Sequence, residues 1–432
     1  MRHPVIRLAM IAGAVAAVPA ASQQKAPPQK VVPPPTHYWL SAATQSGFGM
    51  TPGAQPDMNQ MMRMAMGGGG GATRLLQLDL GSRLPNKGAP TATHMIPPAM
   101  AMGPSLLLKA PAKPPPSVPA EEGLPTFEKP KGRLLLFWGC GEMARPGQPV
   151  VFDFARMAAG QVPAGLFTQD TVRIANPPSA GRYPTYGGWP NDDPPSRKGI
   201  PASASLVGNH KVTGPSTPEM AFALQQDWMA PVTLRQSSLP SGALRLDWNG
   251  IPGATGHFAQ MMGGSEKDEG TIVFWSSSEV QTFLSGLADY IAPAEAARLV
   301  AKKQMLAPAT TGCTVPKEVM AAAEGGLLTL VSHGPEVNIV HPPRPEDPKV
   351  PWVQEWAVKA RFVSRTGAVA GMEMPMGAAG ASASTTASGK PKCLPSASEE
   401  VAAGIGGAIG GTLGRGLGRA MGKKKPPQEC EP

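Results

Sequence analysis

Methionine supplies the first pattern able to do chemistry. Met58, Met61, Met62, Met64 and Met66 crowd one stretch, and HMIPPAMAMG follows with His94 and Met95. Thioethers and imidazole select Cu(I), so this set reads as a candidate copper-handling site. The competing reading is packing, because Met fills irregular apolar gaps. A second pattern is GRYPTYGGWPNDDPP, which holds Tyr183, Tyr186, Trp189, Asp192 and Asp193. Rings and acids on a Gly/Pro-framed loop suit a sugar or peptide ligand; the same rings can instead pin the loop to its own domain. No GxSxG elbow, HExxH, P-loop, post-strand GxGxxG or EF-hand loop occurs. The expectation is a chain without catalytic residues or a cofactor, a non-enzyme rather than an enzyme. Cys140, Cys313, Cys393 and Cys430 form no CxxC pair and allow three disulfide pairings, among which the sequence does not choose.

The elements that position these residues follow from composition. Of 432 residues, 51 are Gly and 51 are Pro, while only 16% are charged. Such a chain builds short strands with long Pro/Gly-rich connections rather than long helices. The net charge of +9 is spread thinly, so no nucleic-acid partner is expected. Only Lys423–Lys425 is a tight basic run, and it suits a membrane surface. Residues 1–22 read as a signal peptide: Arg2 and Arg7, an apolar run from Leu8 to Val18, then small residues. They direct the chain to the periplasm or cell envelope, where its cysteines meet an oxidising compartment.

The predicted fold is mainly β, with two sandwich-like modules and a few helices in the second. A Pro-rich spacer covers 23–36, the first module 37–156, an irregular connector 157–203, and the second module 204–376. Strands are expected at 73–81, 105–110, 132–140, 204–214, 219–227, 230–236, 242–250, 255–263 and 270–278, helices at 277–290, 292–306 and 314–326, and two apolar runs, 326–341 and 352–372, close the folded part. A weak repeat aligns Asp79 with Asp247, His94 with His257, Trp138 with Trp275 and Glu142 with Glu279. The segment LRLDWNGIPGATGHFAQ resembles the early strands of fibronectin type III and other Ig-like sandwiches. The resemblance covers about 17 residues, lacks the later Tyr-containing corner, and implies a sandwich but no activity.

Residues 377–398 read as a flexible linker, 399–422 as a glycine zipper and 423–432 as a basic tail. A large apolar residue recurs every fourth place, beside Gly406, Gly410, Gly414, Gly418 and Gly422. On a helix this small-xxx-small stripe is a groove for another backbone. In water its nine glycines cost about 9 kcal/mol of helix propensity, whereas a bilayer forces the helix. Arg415 and Arg419 oppose burial at mid-bilayer, and period four also fits a strand or an unstructured tail. The expected function is that of an exported envelope protein, structural or binding. Its tail holds it by membrane contact, by an envelope partner or by self-association. The alternatives are a Met-rich periplasmic copper handler and a secreted carbohydrate-binding protein or hydrolase.

Overall fold

The structure, a computed structural model, describes residues 29–47, 72–85, 87–88, 91–111, 132–158, 161, 172–191, 199–265, 270–282, 287, 289–323 and 325–372. The signal-like leader, Met58–Met66, the Asp192–Asp193 pair and the glycine-rich tail with Gly406, Gly410, Gly414, Gly418 and Gly422 lie outside the described residues.

The chain is mainly β, as its composition predicts. Among the described residues, nine strands form the largest sheet, in the order β7 (Val150–Asp153), β6 (Arg133–Trp138), β14 (Thr271–Ser276), β13 (Gly256–Gly264), β16 (Gly326–His341), β18 (Trp356–Val369), β2 (Thr36–Gly47), β3 (Thr73–Ser82) and β8 (Thr185–Trp189). Four more pair as β10 (Thr217–Leu224), β9 (Gly208–Gly214), β4 (Ala92–Met95) and β5 (Ser105–Leu108). A third sheet holds β11 (Leu234–Ser238), β12 (Leu244–Trp248) and β15 (Gly312–Val315), and β1 (Val31–Val32) pairs with β17 (Trp352–Val353). Among the described residues the α-helices are α1 (Phe154–Ala158), α2 (Pro293–Ala301) and α3 (Lys317–Ala322).

Period-two alternation sorts side chains to two faces of the large sheet. Tyr38, Leu40 and Ala42 of β2, Leu76, Leu78 and Leu80 of β3, and Val358, Ala360 and Phe362 of β18 point inward. One continuous core joins them to Leu106, Leu108, Val212 and Phe222 of the four-stranded sheet and to Leu244, Leu246, Trp248 and Val315 of the three-stranded sheet. Both small sheets therefore pack on one face of the large one. Each fully buried Leu there contributes about 1.5–3 kcal/mol. On the outer face, Phe258 packs under Leu287, Ile291, Leu299 and Met305, which seats α2. Pro293 opens α2 at its first turn, where a missing N–H costs nothing.

Several expectations change. Strands from 37–156 and from 204–376 interleave: β6 pairs with β14, β2 with β18, and β4 with β9. The two sandwich-like halves thus share one sheet, and residues 157–203 do not separate two sheets. That connector also supplies an edge strand, β8. The repeat does not survive as topology, since β3 lies in the nine-stranded sheet and β12 in the three-stranded one. Trp138 and Trp275 sit on adjacent parallel strands instead. Apolar strands followed by turns resemble one another in any sandwich, which explains the likeness. The segment 244–260 does run strand, turn, strand, and it crosses from one sheet to another. Described residues 277–282 and 289–290 are not helical, so the first expected helix is not found in them.

β16 and β18 form a long hairpin. Its tip carries β17, against which the entering chain pairs as β1. The exit is at the opposite end of β18, where the Ala370 N–H donates to the Gly326 carbonyl at 2.7 Å.

Candidate functional site

The outer face of β8, β3, β2 and β18 gathers polar side chains in the middle of a sheet. Register places Trp39 opposite Asp79 and Lys359, and Ser41 opposite Gln77 and Arg361, so these residues share a face. The Asp79 carboxylate is buried. It accepts a hydrogen bond from the Tyr186 hydroxyl at 2.8 Å and from the Gln77 amide at 3.1 and 3.3 Å. Burial raises its pKa, while those two hydrogen bonds and the Arg361 charge pull it back. The Tyr186 phenol is raised by its own burial and then by Asp79.

Arg361 is buried too. Its Nε donates to Ser41 Oγ at 2.7 Å and its Nη1 to the Ala175 carbonyl at 3.1 Å. The guanidinium lies 5.0 Å from the Trp39 ring centre and 4.3 Å from that of Tyr290, within cation–π range. Lys359 also covers Trp39, at 5.2 Å, and pairs with Glu336. Enclosure lifts Tyr290 to about 12 against the pull of Arg365 and Arg361.

Tyr186 thus joins a network, and Tyr183 stands beside it, edge-on to His37 at 6.0 Å. Trp189 does not join them. Three residues after Tyr186 it points to the other face and is buried in the core. The expected ligand loop is therefore split between two faces. Trp39, Ser41, Asp79, Tyr290 and Arg361 were not singled out as site residues from sequence. Their signal was an acid inside LLQLDLG and a base inside WAVKARFV, each interrupting an apolar strand.

His94 and Met95 do not converge either. Neighbours on a strand face opposite ways, so His94 is fully buried while Met95 is exposed. Both His94 ring nitrogens are engaged: Nδ1 lies 2.8 Å from the Tyr38 hydroxyl and Nε2 2.9 Å from His210 Nδ1. His210 Nε2 lies 2.8 Å from the Leu206 carbonyl. A carbonyl only accepts, so the whole chain has one direction: Tyr38 O–H to His94, His94 Nε2–H to His210, His210 Nε2–H to Leu206. A copper ion at His94 would have to break it. Desolvation first, then His210, holds His94 well below the usual histidine range. Among the described residues, no group of three or more His, Cys, Asp or Glu is placed to hold a metal ion.

Cys140, just past β6, is bonded to Cys313 on β15, with the Cα atoms 5.2 Å apart. The bond ties the nine-stranded sheet to the three-stranded sheet. Beside it, the Gly141 N–H donates to the Thr314 carbonyl at 2.9 Å.

No protein family, curated protein or solved structure matches this chain. Its chemistry is therefore read from the site alone. Asp79 is enclosed and its oxygens are occupied, so it is placed to hold Tyr186 and balance Arg361. The accessible groups are the exposed Gln77 amide and the partly exposed rings of Trp39, Tyr183 and Tyr186. That set can stack and hydrogen-bond.

Proposed function

We propose that the chain is an exported cell-envelope protein that acts by binding or by building structure. Residues 399–422 hold it at a membrane or join it to a partner or a second copy. The observation that carries this reading is the Cys140–Cys313 disulfide, which bridges two sheets across a sequence separation of 173. Structural disulfides belong to oxidising compartments, and the leader-like residues 1–22 would deliver the chain to one. The outer-face cluster supports binding, because its reachable groups are rings and an amide. Trp39, Tyr183 and Tyr186 sharing one face also favours the narrower reading of a carbohydrate-binding protein.

The test compares three forms in the native host: full length, a form lacking residues 1–22, and a form ending at Ser398. Free thiols are alkylated at harvest and membranes are washed with carbonate. Expected are a full-length chain outside the cytoplasm with Cys140 and Cys313 protected, a leaderless chain with both alkylated, and release of the tailless form by the wash. A full-length chain in the cytoplasm with both thiols alkylated removes the export reading. Release of full-length and tailless forms alike removes the anchoring role of the tail.

A further inference from the structure

Among the described residues, the first long strand and the last strand are neighbours in the middle of the largest sheet, and they run parallel. All 12 residues of β2 are in register with β18, from Thr36 opposite Trp356 to Gly47 opposite Gly367. The chain enters at the start of β2 and leaves beyond the end of β18. Tension between entry and exit therefore pulls the two strands in opposite directions along their own axes.

We propose that the fold is a tension-bearing clamp, in which load between the N-terminal and C-terminal sides of the chain is carried in shear by the β2–β18 ladder. In shear, all the hydrogen bonds of a ladder are strained together; in peeling, they break one at a time. The neighbouring ladders reinforce the clamp. β3 pairs with β2 from Thr36 to Gln45, and β16 pairs with β18 along the hairpin, so neither central strand can slide without shearing both of its partners. Arg361 adds a side-chain crosslink by donating from β18 to Ser41 of β2 at 2.7 Å. The outer contacts do not bypass the clamp. On the entry side, β1 and β17 pair over only two residues and are also parallel. On the exit side, the Gln236 amide holds the Val369 carbonyl at 3.0 Å. These small contacts yield before the ladder does. The clamp stands whether or not residues 399–422 are an anchor, but an anchored tail is what would load it.

The disulfide fixes what rupture releases. Cys140 and Cys313 lie between the two clamp strands, so the stretch they close, a sequence separation of 173, stays locked while the bond is closed. The test stretches single full-length molecules between handles at residues 29 and 372. For comparison, handles at residues 33 and 355 sit at the same end of β2 and β18 and peel the pair. At equal loading rate the first geometry should rupture at several-fold higher force, since forced unfolding reads the barrier rather than the equilibrium. Rupture in the first geometry should free about 600 Å of extended chain with the disulfide closed and about 1,200 Å in reductant, at about 3.5 Å per residue, less the folded distance between the handles. Equal rupture forces in the two geometries overturn the proposal. So does a low-force extension in the first geometry that already includes release of β2.

Discussion

Opening the Cys140–Cys313 bond tests how the two sheets are held together. The perturbation is the double substitution Cys140→Ala and Cys313→Ala, which removes the link without leaving a reactive thiol at either position. Cys313 is buried and Cys140 half-buried, so the packing lost with two sulfur atoms is small beside the lost constraint. The bond closes a sequence separation of 173. The chain-entropy relation assigns a closure of that length about 5 kcal/mol at 25 °C. With a urea slope of about 3 kcal/mol per M, the unfolding midpoint should fall by about 1.5–2 M. Tryptophan emission is a suitable readout, because Trp275 is buried and its indole N–H donates to the Gly139 carbonyl at 2.9 Å, next to Cys140. The wild-type protein in reductant should move with the variant. A midpoint shift below about 0.3 M at unchanged slope refutes the reasoning, since it would leave less than about 1 kcal/mol for the closure.

Two further outcomes follow from buried groups. His94, His210, His257 and His333 are all buried, and desolvation lowers each, His333 to about 3. A base lowered in the folded state leaves the unfolded chain binding more protons, so stability present above the ordinary value of 6.5 is lost as pH falls below it. The urea midpoint should be level above about pH 7, drop steadily towards pH 5, and drop less steeply in a His94→Gln variant; a level midpoint across that range contradicts the assignment. Gly132 has φ +115°, and an added Cβ would sit 2.3 Å from the Gly270 carbonyl oxygen where β6 meets β14. Gly132→Ala should cost about 3 kcal/mol, whereas Gly250→Ala, where a Cβ meets nothing within 4 Å, should stay within about 0.5 kcal/mol by urea titration.

Much of the strand set was legible because alternation and turn residues are local signals. TRLLQLDLG became β3, and Pro293 opened α2. Pairing was not legible, since nothing in apolar alternation says which strand lies beside which. The stretches that hold β2 and β18 were assigned to two different modules, and the two strands proved to be neighbours. Short strands were missed for a different reason. β4 was read as part of a methionine cluster and β8 as part of a loop, because four or five residues with Gly or Met among them carry little period. The outer-face cluster was half visible: Tyr183 and Tyr186 stood out as rare residues in a turn-rich stretch. Asp79 and Arg361 stood in apolar strands, and the partners that make burial tolerable come from distant segments, Tyr186 and Ala175 among them.

The register between β2 and β18 also sets a clock. Ser41 and Arg361, which bond across that pair, are 320 residues apart. At about 5–20 residues per second of synthesis, β2 waits roughly 16–60 s for its partner. Until β18 has emerged, the centre of the largest sheet is missing, and β2 and β3 have no scaffold on that side. Local hairpins such as β9–β10 and β13–β14 can form early, but the sheet that unites them closes last. The chain therefore stays open, and can be threaded through a narrow passage, until β18 has been made.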